Sequence, residues 1–445
     1  MKKLILAALL LLITAQQSFA NSIDKTISKS GINKGAIAVS VKEVKSGKTV
    51  YSLNDKKPSV PASTLKAITL SAAMDTLGND YEFSTKLYKN TNNELFLKLG
   101  ADPFLTSSDL NKLFEQAKTK KIIEPKKIYV DDYIFDSMEW GEGWQWDDDL
   151  NPLMQKFSSY NLDKNLLTIV VAPTTPNAPA NIYTTKFYPT TFMNLVTTGG
   201  ENNVVFKRSN NISPDIITVE GTIKKQISKQ IPINYLKRYF ILRTEDAIRN
   251  AKIEYFGDFP QKKTPASNVY LVGEIKHPVS TAVFETLKNS NNLVAETVFK
   301  AAGAKFVNNT GSFENSEKML NAYFDKIGLN HDDIRIVDGS GVSKNNMITA
   351  DFMTEFLLKK AGDEAFKKLL PTPGEGTLTS RMLYFKDNLY AKTGTHCTES
   401  ALAGYITSRS GKTYVFDIMI NDPKSKSGEK KSLEEYILRE IYANY

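Results

Sequence analysis

The sequence predicts a multidomain α+β protein: an antiparallel sheet flanked by helices, assembled from both ends of the chain, with β-rich domains inserted between them. Three observations predict it. The chain has 445 residues, against a soft expectation of one domain per ~150. Its two ends carry strand patterns, whereas the middle breaks into short β-rich runs separated by Pro, Asn, Thr and Gly turns. The composition is globular, 41% hydrophobic and 24% charged, and a chain of this size buries a core without covalent staples.

Composition also removes several classes of chemistry. A single cysteine, Cys397, excludes an intrachain disulfide and a cysteine-cluster zinc site. His277, His331 and His396 are the only histidines, and none stands in H-E-x-x-H spacing, so no metal or cofactor is expected. The net charge of +8 is spread along the chain, which points to solubility rather than to nucleic acid.

Taken in order, the first residues read as an address. Lys2 and Lys3 precede the apolar run Leu4 to Ala15, and Ser18-Phe19-Ala20 supplies small residues at both specificity positions of a cleavage site. The run is shorter than the ~20 apolar residues that span a bilayer. Residues 1–20 are therefore expected to be a signal peptide cleaved after Ala20, leaving a soluble, exported protein without a transmembrane segment. Ala36 to Val41 and Thr49 to Leu53 form a hairpin through Ser46-Gly47, followed by a helix from Ser63 to about Leu77 that Gly78-Asn79 stops. In the middle, Ile169 to Val171, Ile182 to Phe187, Asn203 to Lys207 and Ile216 to Ile223 read as strands. Helical periodicity returns at Tyr235 to Lys252 and Thr281 to Ala302. Three strands close the chain, Leu389 to Lys392, Ala401 to Thr407 and Tyr414 to Ile420. A capping box at Ser432 to Glu435 opens a last helix whose acidic Glu434, Glu435 and Glu440 favour packing on the sheet over membrane contact.

Short motifs are cheap, and each has rivals in this chain. S-x-x-K occurs at Ser22, Ser63 and Ser427; the first is at the new N-terminus and the last in the polar stretch Lys424 to Lys431. Only Ser63 opens a helix, where three-residue spacing puts its Oγ and Lys66 Nζ on one face. A serine hydroxyl needs a base to become a nucleophile, and lysine serves once burial or nearby cations depress its pKa. Taken alone, the pair also reads as a helix-capping serine and a solvated lysine. K-[ST]-G occurs at Lys29, Lys45, Lys392 and Lys426; only Lys392-Thr393-Gly394 ends a strand, where a cation, a hydroxyl and a backbone N–H suit a carboxylate. Ser290-Asn291-Asn292 interrupts two amphipathic helices. Gly47-Lys48-Thr49 lacks the upstream glycine of a P-loop, and Ser340 lacks the first glycine of G-x-S-x-G.

The combination and its order are specific: Ser63/Lys66, then Ser290/Asn292, then Lys392/Thr393/Gly394, the triplet of penicillin-binding proteins and class A β-lactamases. With Val130 to Asp136, Gly141 to Asp147, Asp338 to Ser343, Pro371 to Leu378 and Leu402 to Tyr405, the chain resembles the D-alanyl-D-alanine carboxypeptidase/endopeptidase family S13, the class C low-molecular-mass penicillin-binding proteins. The resemblance runs from about Gly35 to Ile441. The stretch from Ser63 to Ser290 is more than twice that from Ser290 to Lys392, longer than a compact β-lactamase needs.

The resemblance implies a penicillin-binding/β-lactamase-like serine transpeptidase fold, with 21–86 and 275–445 forming a split catalytic domain. Two nested β-rich insertions would fill 87–170 and 171–274. It implies that Ser63 attacks the carbonyl of the penultimate D-alanine, that Lys66 is the base, and that Ser290 relays a proton to the leaving nitrogen. Asn292 would bond the acyl side chain, Lys392, Thr393 and Gly394 would hold the terminal carboxylate, and the N–H groups of Ser63 and Thr395 would form the oxyanion hole. Trp144, Trp146 and Asp147 either meet the diaminoacyl part of the stem peptide or, for the tryptophans, pack an inserted domain. Where the family has small or apolar residues after Thr395, this chain has His396, read as a rim residue rather than a base, and Cys397, read as a plain small strand or loop residue rather than a redox-sensitive thiol or an intermolecular disulfide partner.

The expected activity is a periplasmic D-Ala-D-Ala carboxypeptidase, also a D,D-endopeptidase, acting on peptidoglycan stem peptides and crosslinks. β-Lactams would be covalent inhibitors, and a second copy of the chain is a possible partner. The alternatives are a β-lactamase or esterase on the same fold and a non-catalytic wall-binding scaffold.

Overall fold

The structure, a computed structural model, describes residues 22–208 and 216–445; the expected signal peptide lies outside them. Five antiparallel strands form the sheet that carries the site, in the order Leu389–Thr395, Glu399–Thr407, Thr413–Asn421, Ile37–Glu43, Thr49–Leu53. Ile37 lies opposite Ile420 and Glu43 opposite Tyr414, so both ends of the chain close one sheet, as expected.

Both faces of this sheet are covered, and its inner strands therefore read as unbroken apolar runs instead of alternating ones. Along Thr413–Asn421, Val415 and Met419 enter a core shared with the helices Lys66–Leu77, Asn292–Val307 and Ala350–Lys359. Phe416, Ile418 and Ile420 enter the opposite core, with Ile23 and Ile27 of the first helix and Leu433, Ile437 and Ile441 of the last. That last helix begins at Ser427, not at Ser432. The Glu429 carboxylate accepts the Lys426 N–H at 2.7 Å and supplies the start signal one turn earlier. Lys430, expected in a polar loop, is buried in the first turn and donates to the carbonyls of Thr398 and Asp422.

The helix Lys66–Leu77 is buried on nearly every side through Ala73 and so lacks a polar stripe; Gly78, at φ +77°, ends it. The interruption expected around Ser290 separates Val279–Leu287 from Asn292–Val307. Asn291 caps the second helix, its Oδ1 accepting the Val294 N–H at 3.1 Å.

Between these parts lies a second body. A four-stranded sheet, in the order Val269–Pro278, Glu82–Asn90, Glu94–Lys98, Lys127–Asp131, packs with the helices Ser107–Thr119 and Leu236–Asn250. Two three-stranded sheets adjoin them, and one continuous apolar cluster from Leu87 to Val272 joins all of these elements. The junctions drawn at 86/87 and 274/275 fall inside two strands that pair with each other, Lys86 opposite Glu274. The line at 170/171 falls inside the strand Leu166–Ala172, because the change of texture that marked it is the turn after the strand. Among the described residues, no helix is long and apolar enough to cross a membrane.

Candidate active site

Ser63 lies in the 3-10 turn Ala62–Leu65, which runs directly into the helix Lys66–Leu77. Two close approaches set this turn. Ala62 is fully buried with φ +48°, a left-handed conformation costing an alanine roughly 1–2 kcal/mol. Gly341, at φ +76°, lies against it, and a Cβ there would stand 2.0 Å from the Ala62 carbonyl oxygen. On the other side passes the strand Leu389–Thr395. A Cβ on Gly394 would lie 2.8 Å from the Pro61 oxygen and 3.0 Å from the Ser63 nitrogen, so the glycine of K-T-G lets the strand approach the nucleophile's backbone.

Lys66 is completely buried, and its Nζ reaches Ser63 Oγ at 2.8 Å, Asn292 Oδ1 at 2.6 Å and the Ser340 carbonyl at 2.6 Å. Burial pulls its pKa down to about 7, against the opposing pull of Asp338 and Glu296. This geometry has a chemical consequence. A neutral amine has two N–H donors and one lone pair, and the Ser340 and Asn292 oxygens can only accept. With both N–H groups so engaged, the lone pair faces Ser63 Oγ.

A second serine–lysine pair faces the first. Lys392 is also fully buried, and its Nζ bonds Ser290 Oγ at 2.8 Å and the Thr393 carbonyl at 2.9 Å. Burial first, and then repulsion by Lys66, drives its pKa well below the ordinary lysine value. Ser290 itself is held at φ +59°. Thr393 Oγ1 bonds Thr377 Oγ1 at 2.8 Å, and the Thr377 N–H donates to the Lys288 carbonyl. The stretch Pro371 to Leu378 thus braces the Ser290 loop against the strand. Asn292 links to the inserted body as well, Nδ2 donating to the Leu153 carbonyl at 2.8 Å.

Ser63, Ser290, Asn292, Thr393 and Thr395 line one cleft of about 610 Å³, with the buried Lys66 and Lys392 behind it. Thr395 ends its strand, exposed at the rim and paired with Ser400. Asp147 is different. It is exposed on the 3-10 turn Trp146–Asp148 and does not line the cleft, whereas Asp148 does; one residue of phase in a tight turn separates them. Trp146 is 75% exposed, and Trp144 is a core residue whose Nε1–H donates to Asp338 Oδ2 at 2.9 Å. His396 Nε2 lies 3.0 Å from the Gly341 carbonyl, and Cys397 is exposed; both belong to the rim.

Sequence reasoning quoted Asp338 to Ser343 without assigning it chemistry. The structure makes it the floor behind Lys66. Asp338 accepts the N–H groups of Gly341 and Ser343 and the Asn346 amide, and Thr69 Oγ1 donates to the Gly339 carbonyl. The signal available was the D-G-S-G turn pattern; no spacing rule ties it to Ser63.

Comparison with known proteins bears on this constellation. The sequence profile of the D-Ala-D-Ala carboxypeptidase 3 (S13) family matches residues 19–439. The chain belongs to that family. It is 23% identical over 444 residues to the D-alanyl-D-alanine carboxypeptidase DacB of Haemophilus influenzae, covering 93% of this chain and 91% of that one. The crystal structure of penicillin binding protein 4 (dacB) from Haemophilus influenzae superposes with a TM-score of 0.84 at 22% identity, over 95% of this chain and 99% of that one. Its complex with a novel β-lactam gives 0.79 at 21% identity, with the same coverage. The fold expected from the motifs is therefore the observed one, and the S13 chain is a serine peptidase of the D-Ala-D-Ala carboxypeptidase type.

Proposed function

We propose that this S13 peptidase hydrolyses the terminal D-Ala-D-Ala bond of peptidoglycan stem peptides through an ester on Ser63, and cleaves D,D-crosslinks by the same route. One observation carries the reading: Lys66 Nζ lies 2.8 Å from Ser63 Oγ and 2.6 Å from each of the Ser340 and Asn292 oxygens, so that in the neutral amine the two N–H groups fall to those oxygens and the lone pair to Ser63 Oγ. Lys66 takes the Ser63 proton as Oγ attacks the carbonyl of the penultimate D-alanine. The N–H groups of Ser63 and Thr395 receive the oxyanion, where one donor is typically worth ~3 kcal/mol. Ser290, bonded to Lys392, gives its hydroxyl proton to the leaving nitrogen as the C–N bond breaks, and the proton that Lys66 took from Ser63 replaces it, leaving Lys66 neutral again. Water then hydrolyses the ester and restores Ser63. Lys392 and Thr393 hold the terminal carboxylate, while Asn292, fastened to Leu153, holds the acyl side.

In this reading the two ends of the chain form the catalytic unit, and the body between them, whose sheet holds both Glu82–Asn90 and Val269–Pro278, contributes Leu153 to the acyl-side wall. A crosslink presents the same D-alanyl carbonyl with a diamino acid as leaving group, so the chemistry is unchanged. β-Lactams present a strained amide in the same place and acylate Ser63, as the β-lactam complex of the Haemophilus protein suggests. The expected signal peptide supports export, and the periplasm is assigned by analogy with soluble members of the family. The test is product analysis by mass spectrometry after incubation with monomeric and crosslinked muropeptides. D-Alanine release and conversion of dimers to monomers are expected, and both are lost in Ser63→Ala. Retention of D-alanine release in that variant overturns the assignment.

A further inference from the structure

Behind Lys66, on the side away from Ser63, lies a carboxyl group to which the reaction as described gives no role. Glu296 is one turn along the helix Asn292–Val307 from Asn292 and is completely buried. Its two oxygens are divided between successive backbone donors: Oε2 accepts the Gly339 N–H at 3.0 Å, and Oε1 accepts the Ser340 N–H at 2.8 Å. A carboxylate straddling two adjacent N–H groups fixes the Gly339–Ser340 peptide, and Asp338 Oδ1, accepting the Gly341 N–H at 2.7 Å, holds the peptide that follows, and with it the carbonyl between the two clamps. That carbonyl belongs to Ser340, and it accepts from Lys66 Nζ at 2.6 Å. Among the described residues, the other oxygens on Lys66 Nζ are Asn292 Oδ1 and Ser63 Oγ itself.

We infer that Glu296 is a positioning residue for the base. By holding the Gly339 and Ser340 N–H groups on one side while Asp338 holds that of Gly341 on the other, it keeps the Ser340 carbonyl on Lys66, and so keeps the lysine's lone pair toward Ser63. The clamp uses both oxygens, so an isosteric glutamine cannot replace it. Glutamine offers one acceptor and one NH₂ donor, and the donor would oppose a backbone N–H in a site without water access. The same helix thus supplies the base with two of its restraints, Asn292 directly and Glu296 through the backbone.

The charge of Glu296 acts on the base as well as its shape. The groups facing this site are Lys66 from its helix, Asp338 from the loop, Lys392 from the strand, and Lys300 one turn further along the Glu296 helix. Burial, reinforced by Asp338, raises the Glu296 pKa to about 8, while Glu296 in turn raises that of Lys66. Removing Glu296 therefore lowers the proton affinity of Lys66 and leaves its amine less well aimed.

This inference rests on Lys66 being the base, and the experiment separates the two. The rate of Ser63 acylation by a fluorescent penicillin is measured from pH 5 to 9 in the full-length mature protein, for wild type, Glu296→Gln and Glu296→Asp. A wild-type rate that climbs through about pH 7 supports Lys66 as the base, and a flat wild-type profile contradicts that reading whatever Glu296 does. For Glu296→Gln the plateau should fall about 10- to 100-fold, as expected for general-base catalysis lost in part. Its acidic limb should also move to lower pH, because a carboxylate that raises the Lys66 pKa is gone. Glu296→Asp keeps the charge with a shorter reach, so its limb should stay near the wild-type position while its plateau falls. An equal loss at every pH in the glutamine variant, with the limb unmoved, would reduce Glu296 to a packing residue and overturn the inference. A glutamine variant with an unchanged rate overturns it too. Thermal melting of all three proteins confirms that each is folded at the assay temperature.

Discussion

The cleft holds two serine–lysine pairs with the same contact distance and different surroundings. Ser63 and Lys66 are three residues apart on one helical turn, whereas Ser290 and Lys392 are 102 residues apart, on a helix junction and a strand. Each lysine is fully buried and each Nζ lies 2.8 Å from its serine oxygen. They differ in what else faces the amine. Asp338 and Glu296 offset the burial of Lys66 and leave its pKa at about 7, where a base works best near neutrality. Lys392 has no carboxylate among its perturbing neighbours and feels the charge of Lys66, so burial and repulsion lower it together. Nearby carboxyls, not the serine–lysine contact, tune one lysine to exchange protons and leave the other waiting for an anion.

Variants of the two lysines break this comparison most directly. Lys66→Ala removes the base, and acylation of Ser63 should fall by about 10²- to 10⁴-fold with little change in ligand affinity. Lys392→Ala removes a charge-assisted contact to the substrate carboxylate, worth about 1.5–3 kcal/mol, so its loss of about 10- to 100-fold should appear largely in KM. Steady-state kinetics on a D-Ala-D-Ala peptide distinguish the two; equal effects on kcat would mean that the lysines share one role.

Binding a carboxylate beside Lys392 should raise its depressed pKa and draw in a proton. Calorimetry of a non-hydrolysable D-alanyl ligand in buffers of different ionisation enthalpy should therefore report proton uptake on binding, and less of it in Lys392→Ala. The smallest expected effect lies behind the first pair. Trp144→Phe deletes one donor to Asp338, which keeps the Ser343 N–H on the same oxygen. The cost should be about 1 kcal/mol, a fall in Tm of about 2–4 °C, with activity largely kept.

The contrast between the pairs also explains what was legible in the sequence. Ser63/Lys66 is a local spacing on a helix, and Lys392-Thr393-Gly394 ends a recognisable strand, so residue pattern alone located both. Gly394 is needed because a Cβ would meet Pro61 and Ser63, a contact that no pattern near residue 394 announces. The same holds for Thr377 against Thr393, Leu153 against Asn292 and Trp144 against Asp338, each joining segments far apart in the chain. Asp147 was placed in the site on its neighbours' account, and the tight turn presents Asp148 to the cleft instead. The last helix starts early because Lys430 finds two carbonyls in the folded protein, which outweigh its preference for water.

The central claim is that Ser63 is the acylated nucleophile, and intact-mass and peptide-level mass spectrometry after a short incubation with benzylpenicillin test it most directly. One penicilloyl adduct per chain is expected, on the peptide containing Ser63, abolished in Ser63→Ala and slow to form in Lys66→Ala. An adduct on any other residue, or undiminished labelling of Ser63→Ala, would contradict it.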